Sequence, residues 1–536
     1  MPTVLDAGLV GERRRAVLLA SVFTLLFVGS AVYFGSLQNI WVDETTQLSG
    51  ASLSPGRLIA WLTGRFDPHF GVPPDRMPPI SYLLDAACAH SLCTQPFHFR
   101  LFHLSFAALG IATIIWLAFR YHGARAAALT GAFLVLSPKL IEQAVEIRAY
   151  PIFFLITCLQ INLVYRISEQ GRLRRAHLAW FAFLSLASIY THFFGLVSSM
   201  ALLGGLLLPR MTDRREALML VGTGALVLLG ATGTISFITA ATSFSGAEAP
   251  DASMEAYATY AVRLIGYSAN WIAVVPAFLY PAAVGLLLII AGVRVSADVR
   301  RDGWQFWKTA PGSLVIALGA GLAVTLVSSL VASNFNSLKP QYSLWMFPIV
   351  ALLLGVAVKF PASSGPAKWL GAISAAALVV AAAWAETIFL SNARWFVHGP
   401  ADAIAAEIER AAAPAAVVYR GEFGWGYFPT YYRFRDRVPQ WFMDDRGAVH
   451  RVLLNGKVDS AIMDPPTAFS GRKIILADIQ RETYLTMRLL YAGVDPEAVP
   501  IAAGPAPLIK GWEVASSHVV PEFYWTRLTV YEPVEG

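Results

Sequence analysis

The stretch Pro79-Ile80-Ser81-Tyr82-Leu83-Leu84-Asp85-Ala86-Ala87-Cys88-Ala89-His90-Ser91-Leu92 decides how this chain is threaded. It is apolar enough to suggest a membrane segment, yet shorter than the roughly 20 residues a spanning helix needs. It carries Asp85 and His90, and a proline-rich approach, Pro73-Pro74-Asp75-Arg76-Met77-Pro78-Pro79, leads into it. If it crosses a bilayer, every later loop changes side. If it lies along the surface, none does.

Working outward, the chain is far too apolar for a soluble protein: of its 536 residues 56% are hydrophobic and only 14% are charged. Apolar runs fall at 15–36, 100–119, 124–138, 148–166, 175–190, 192–209, 216–238, 268–293, 311–332, 341–358 and 367–389. Reading 79–92 as a surface helix puts nearly every short basic loop on one side. That side receives Arg13, Arg14 and Arg15, Arg120 with Arg125, Arg166 with Arg172, Arg174 and Arg175, and Arg210 with Arg214 and Arg215. It also receives Arg294 with Arg300, Arg301 and Lys308, and Lys359 with Lys368. This is the positive-inside pattern; reading 79–92 as a span would turn the basic loops outward. The expectation is a polytopic α-helical membrane protein of eleven spans, N-terminus cytoplasmic and C-terminus outside. The formal charge of +6 then sets topology and does not mark a nucleic-acid surface. The arginines before the first run imitate a signal peptide. That run is longer than a typical h-region and no convincing cleavage site follows, so it reads as an uncleaved first transmembrane helix.

Beyond about Ser391 the apolar runs shorten and charge increases. A helix is expected over 400–413 and strands at 417–419, 474–477 and 523–531, which gives a small α/β domain. The organisation is thus a membrane domain over 1–390, with its first outer loop at 37–99, and an extracytoplasmic soluble domain over 391–536. The aromatic patch at 425–432 reads as core packing or as a contact for a sugar chain. The three cysteines are too few for a disulfide framework. Cys158, in an apolar run, reads as inert. Cys88 and Cys93 could pair in an oxidising compartment, but two free thiols are the expectation.

With this topology, polar residues from distant parts of the chain share one membrane surface. Trp41-Val42-Asp43-Glu44 opens the first outer loop, and Arg65, Asp67, His69, Asp75 and Arg76 follow in it. Glu142, Glu146, Arg148 and Tyr150 come from the next outer segment, Tyr190 and His192 from a tight turn, and Lys339, Gln341 and Tyr342 from a later one. Ionisable residues at membrane level usually mark a site. Each also has a plain structural reading. Asp43 and Glu44 could cap a helix, Arg148 and Lys339 could anchor at the interface, and the tyrosines could form an aromatic belt. His192 could cap its corner by bonding backbone, and Glu142 and Glu146 could share a solvated helix face.

Five motifs carry a family likeness: Trp41-Val42-Asp43-Glu44, Met77-Pro78-Pro79-Ile80-Ser81-Tyr82-Leu83, Phe99-Arg100-Leu101, Ser137-Pro138 followed by Arg148-Ala149-Tyr150, and Tyr190-Thr191-His192-Phe193-Phe194-Gly195. In this order the chain resembles the GT-C glycosyltransferases, in particular bacterial relatives of the protein O-mannosyltransferase and aminoarabinose-transferase families. The likeness covers about residues 15–355. Two positions depart from it. Met77 stands where many relatives have Lys before Pro-Pro, and Gln341-Tyr342 stands where an Arg-Tyr is found.

The resemblance implies a polyprenyl-phosphate-linked sugar as donor and a hydroxyl of a glycan, lipid or protein as acceptor, joined in one inverting displacement outside the cytoplasm. It casts Asp43 as the base, with Glu44 steering it or binding the acceptor. Arg148 and Lys339 become a phosphate clamp assisted by Arg76, while His192, Tyr150, Tyr342 and Gln341 face the phosphate or the sugar. Some relatives use a divalent cation; Asp43, Glu146 and His192 could hold Mg²⁺ or Mn²⁺ if they met. A monophosphate leaving group can be neutralised by Arg and Lys alone, so the expectation is no metal. The competing classes are a transporter or flippase for a lipid-linked glycan, and a scaffold presenting the outer domain. The first would be expected to show internal repeats and broken helices at mid-membrane, which the sequence does not display. The second leaves the polar cluster unexplained.

Overall fold

The computed structural model describes residues 4–66, 77–242, 279–331, 338, 340–357, 366–393, 401–410, 415–421, 428–434, 437–444, 446–452, 458–463, 468–469, 471–481, 506–520 and 525–534, with a few positions between 254 and 261. The chain divides into two compact units. One comprises Met1–Gly35 with Arg76–Phe389, the other Ser36–Asp75 with Leu390–Gly536. The segment 36–75 of the first outer loop is thus grouped with the C-terminal residues.

The first unit is helical. Its first helix, α1 (Val4–Leu37), is followed in the second unit by α2 (Val42–Ala51) and α3 (Pro55–Leu62). The first unit resumes with α4 (Ile80–Ser91), α5 (Pro96–His122), α6 (Ala124–Val135), α7 (Pro138–Val145), α8 (Tyr150–Gln170), α9 (Arg175–Thr191) and α10 (Phe194–Leu207). It ends with α11 (Arg214–Ala231), α12 (Ile235–Thr242), α13 (Leu279–Asp302), α14 (Ala310–Val331), α15 (Met346–Ala357) and α16 (Pro366–Ser391). Among the described residues six helices are long and apolar enough to cross a membrane, or seven if the bent pair α6–α7 counts as one span. The protein is therefore a multi-pass membrane protein. The other expected runs fall on shorter or partly described helices. Pro96 and Pro151 start α5 and α8, where their missing N–H groups cost nothing. Gly123 (φ +88°) breaks the chain between α5 and α6, and Gly171 closes α8 in the left-handed region.

The stretch 80–91 is a twelve-residue helix whose Ser81, Tyr82, Asp85, Ala86 and Cys88 form one buried face while Leu83, Ala87 and Ala89 are exposed. Inside it, the Asp85 carboxylate lies 2.7 Å from His103 Nε2 of α5, and both side chains are fully buried. Two expectations are corrected in this region. Cys88 and Cys93 are bonded to each other, not free. The chain folds back at the end of α4, where Leu92 N and Cys93 N both donate to the Cys88 carbonyl at 2.8 Å. That turn brings the two Cα atoms to 5.2 Å, inside the reach of a disulfide. The run 124–138 is also not one straight helix. It stops at Val135, and α7 leaves at 63° after Leu136-Ser137.

Helix packing in this unit relies on small residues, as membrane interfaces do. A Cβ at Gly205 of α10 would lie 2.2 Å from the Ser313 carbonyl of α14, and one at Gly321 of α14 would meet the Trp345 ring at 2.3 Å. Thr130 of α6 donates to the Ala351 carbonyl of α15 at 3.0 Å.

The second unit holds α2, α3, α17 (Ala401–Arg410), α18 (Phe428–Phe434) and seven strands: β1 (Ala415–Arg420), β2 (Gln440–Met443), β3 (Val449–Val452), β4 (Val458–Met463), β5 (Lys473–Arg481), β6 (Trp512–Val520) and β7 (Trp525–Pro533). They form one mixed sheet in the order β4-β3-β2-β1-β5-β7-β6. β1 runs parallel to β2 and β5; the outer pairs are antiparallel. Ile404 of α17 and Tyr431 and Phe434 of α18 cover one face with Val417, Tyr419, Ala477 and Leu528. Phe469 and Ile509 cover the other, on Ala416, Val418, Ile474, Leu476 and Tyr531.

The disulfide is directly testable. Protein denatured without reductant and treated with iodoacetamide should carry one label, on Cys158, by mass spectrometry; reduction should raise the number to three. Three labels without reduction would show the pair to be free.

Candidate active site

The geometry of the site begins at α7. Ser137 caps this helix, its Oγ accepting from Leu140 N at 3.3 Å, and Pro138 opens it. Its C-terminal carbonyl, Val145 O, accepts from the buried Arg100 guanidinium at 3.1 Å. The chain then turns: Glu146 is extended, and Arg148 N donates back to the Glu146 carbonyl at 2.8 Å. α8 starts two residues after Arg148. The segment between α7 and α8 therefore presents Arg148 and Tyr150 from a short, tethered turn.

Arg148 is 97% buried by its neighbours, with only 3% of its surface exposed, and its guanidinium carbon lies 6.0 Å from the Tyr150 ring centre. Beside it, His192 sits in the corner between α9 and α10. Its ring lies 5.4 Å from Tyr150, 5.1 Å from Phe153 in a stacked arrangement, 5.9 Å from Phe194 and 5.5 Å from Tyr342. Phe194 and Tyr342 stack on each other at 5.0 Å. Tyr342 and Gln341 lie half-buried in a short 3-10 turn, Pro340–Ser343. Arg148, Tyr150, His192 and Tyr342, which come from three separated stretches of sequence, thus form one aromatic-walled cluster with a cation in it.

His192 is the polar centre of that wall. Phe194 N donates to its Nδ1 at 3.2 Å, so in the neutral ring the proton is on Nε2. Burial first, and the charge of Arg148 second, push the imidazole below its ordinary range, which keeps it neutral. Its Nε2 is buried and has no hydrogen-bond partner among the described residues. The backbone bond expected of a corner histidine is present, through an N–H rather than a carbonyl, and it uses only one ring nitrogen. The other nitrogen is a donor suited to a phosphate or sugar oxygen.

Several predicted residues lie elsewhere. Glu142 and Glu146 do not share a helix face, because α7 ends at Val145; Glu142 pairs with Lys139 at 2.9 Å and Glu146 accepts from Gln143 at 2.9 Å. Tyr190 donates its hydroxyl to the Gly230 carbonyl of α11 at 3.0 Å and serves packing. Asp43 and Glu44 belong to the second unit, in the first turn of α2, where the helix dipole favours carboxylates. Glu44 is fully buried and its carboxylate accepts from Trp41 N at 3.3 Å; Asp43 is half-buried. Lys339 and Arg76, like Asp67, His69 and Asp75, lie outside the described residues. No group of three or more His, Cys, Asp or Glu side chains among the described residues is arranged to hold a metal ion.

Two contributions were absent from the sequence reading. Phe153 forms a wall of the cluster; its place one turn after Tyr150 on α8 was the available signal. Asp85 and His103 fasten α4 to α5, and their separation of 18 residues left no local pattern to find.

Two solved structures align with almost the whole chain. The crystal structure of ArnT from Cupriavidus metallidurans in the apo state aligns with a TM-score of 0.50 at 14% identity, over 96% of this chain and 98% of that one. The crystal structure of ArnT from Cupriavidus metallidurans bound to undecaprenyl phosphate aligns with a TM-score of 0.49 at 14% identity, over 96% and 97%. No protein-family model and no curated protein sequence matches the chain. The protein has the GT-C glycosyltransferase fold, with a helical membrane part and a C-terminal sheet domain.

The Arg100 tether predicts a local effect. Arg100→Met should leave the Val145 carbonyl unsatisfied and cost roughly 1–3 kcal/mol. Hydrogen exchange read by mass spectrometry should rise first in residues 138–147; unchanged exchange there would dismiss the tether.

Proposed function

We propose that the protein is an inverting glycosyltransferase. It moves a sugar from a polyprenyl-phosphate-linked donor to a hydroxyl of a cell-envelope glycan, lipid or protein, on the extracytoplasmic side of the inner membrane. The observation that carries this reading is the convergence of Arg148, Tyr150, His192 and Tyr342 in a GT-C fold. A buried guanidinium beside a neutral imidazole donor suits a phosphate monoester, and the aromatic rings suit the faces of a sugar. A lipid-linked donor is consistent with a membrane-embedded enzyme, and the basic loops support the orientation.

In this reading the acceptor oxygen attacks the anomeric carbon while the bond from that carbon to the phosphate oxygen breaks. The phosphate leaves with the bonding electrons, and the acceptor proton passes to Asp43. Charge grows on the departing phosphate, so groups that bind it best in the transition state lower the barrier. Arg148 supplies the fixed positive charge and His192 Nε2 a hydrogen bond; Lys339, Arg76 and Gln341 are assigned to the same phosphate and sugar. Tyr150 and Tyr342 hold the sugar ring. Glu44 is assigned to keeping α2, and with it Asp43, in place. Charge neutralisation by Arg148 and Lys339 makes a metal unnecessary for a monophosphate leaving group. Addition of Mg²⁺ or Mn²⁺ is accordingly expected to leave the rate unchanged.

Mass spectrometry of cell-envelope glycans with and without the gene product identifies the sugar and acceptor. With those in hand, purified Asp43→Asn should fold and bind donor normally but lose transfer by about 10²–10⁴-fold. Arg148→Ala should lose donor binding as well. Unchanged transfer by Asp43→Asn would overturn the base assignment.

A further inference from the structure

The sheet of the second unit has a feature that the proposed reaction does not use. Adjacent parallel strands β1 and β5 send the chain in opposite directions from their carboxyl ends. β1 leads through α18 to β2 on one side, and β5 leads toward β6 on the other. In open α/β sheets such a switch point forms a crevice outside the strand ends, and ligands bind there.

The residues that line this end change character along one face. On that face the register gives Ala416–Ile474–Tyr531, then Val418–Leu476–Thr529, then Arg420–Asp478–Arg527. The first row is covered by Phe469 and Ile509 as part of the core. The last row, at the carboxyl end, is charged. Arg527 donates to Asp478 at 2.8 Å, and both are more than nine-tenths buried. Arg420 approaches the same carboxylate only to 3.8 Å and keeps 29% of its side chain exposed. Two guanidiniums thus face one carboxylate. Stability does not explain such a row, since apolar residues of similar volume usually serve as well or better. A contact of 3.8 Å is longer than a hydrogen bond, so among the described residues the Arg420 fork meets its carboxylate partner without a close bond. Gly421, at φ +92°, turns the chain immediately after it and leaves no side chain at the rim.

We propose that the charged row at the carboxyl ends of β1 and β5 binds an anionic group on a sugar, a phosphate or a carboxylate. Arg420 makes the contact, and Asp478 and Arg527 hold the row in place. Assigning that sugar to the acceptor rests on the glycosyltransferase reading; the binding site does not.

The test uses the full chain in lipid nanodiscs, in an Arg148→Gln background that removes the membrane unit's phosphate contact. Calorimetric titration with inorganic phosphate, glucuronate and glucose separates the possibilities. Saturable binding of phosphate points to a phosphorylated sugar or lipid headgroup, binding of glucuronate to a uronic acid, and glucose should not bind. Adding Arg420→Gln should weaken the anion at least tenfold, and Arg420→Lys should fall between. Where Arg420→Gln protein does not fold, Arg420→Lys carries the comparison. Absence of binding by both anions, or equal binding after Arg420 is replaced, would overturn the site. Because no sugar transfer is measured, this result is independent of whether the protein is a transferase.

Discussion

The bond from Arg100 to the Val145 carbonyl governs the geometry of the membrane unit's polar cluster. A helix leaves its last carbonyls without partners, and in a place short of water each orphan is costly. α7 is only eight residues long and leaves α6 at 63°, so its own ladder gives it little purchase. A buried arginine from α5 supplies the missing donor at its end. The chain that follows, Glu146 to Ala149, can then turn within four residues and enter α8 with Arg148 and Tyr150 fixed beside the α9–α10 corner. His192 follows from the same economy of short turns: two residues separate its helix from the next, and one ring nitrogen is spent holding the corner. A guanidinium and an imidazole N–H among aromatic rings make up the chemistry of the cluster.

The helices were legible in the sequence because hydrocarbon imposes long unbroken apolar runs, and α1, α5, α8, α11, α14 and α16 fall on them. The Ser137-Pro138 pair was present as a motif, but the 63° bend it marks inside the run 124–138 had no signal in the hydropathy pattern. In the sheet domain β1, β5 and β7 were visible as β-branched, apolar segments. β6 was not, because Glu513 to His518 is exposed and shows no alternation. β2 and β3 are only four residues each, too short to show a period. The cysteine pair turned on a fold-back whose geometry comes from the end of α4. Arg148, Tyr150, His192 and Tyr342 could be nominated because all sit at helix ends on one expected face. Their mutual distances could not, since they depend on the tilt of four helices.

The acidic pair Asp43-Glu44 separates into two roles. Glu44 is buried and bonded to the start of its own helix, the fate that any first-turn carboxylate can meet. Asp43, its neighbour, keeps part of its surface open. One residue of the pair holds the helix that carries the other, and α2 itself packs on α18 of the sheet domain. A change in the packing of that sheet domain therefore reaches the position of a carboxylate that lies close in sequence to the first membrane helix.

The double fastening of α4 has a consequence for how the protein is made. Asp85 can pair with His103 only after α5 has been synthesised and inserted, and Cys88 can bond Cys93 only where thiols are oxidised. The polar pair therefore waits on α5, whereas the disulfide, which spans five residues ahead of α5, waits only on an oxidising compartment. A chain made without an oxidant would keep the pair between α4 and α5 and leave the turn after α4 without its covalent lock.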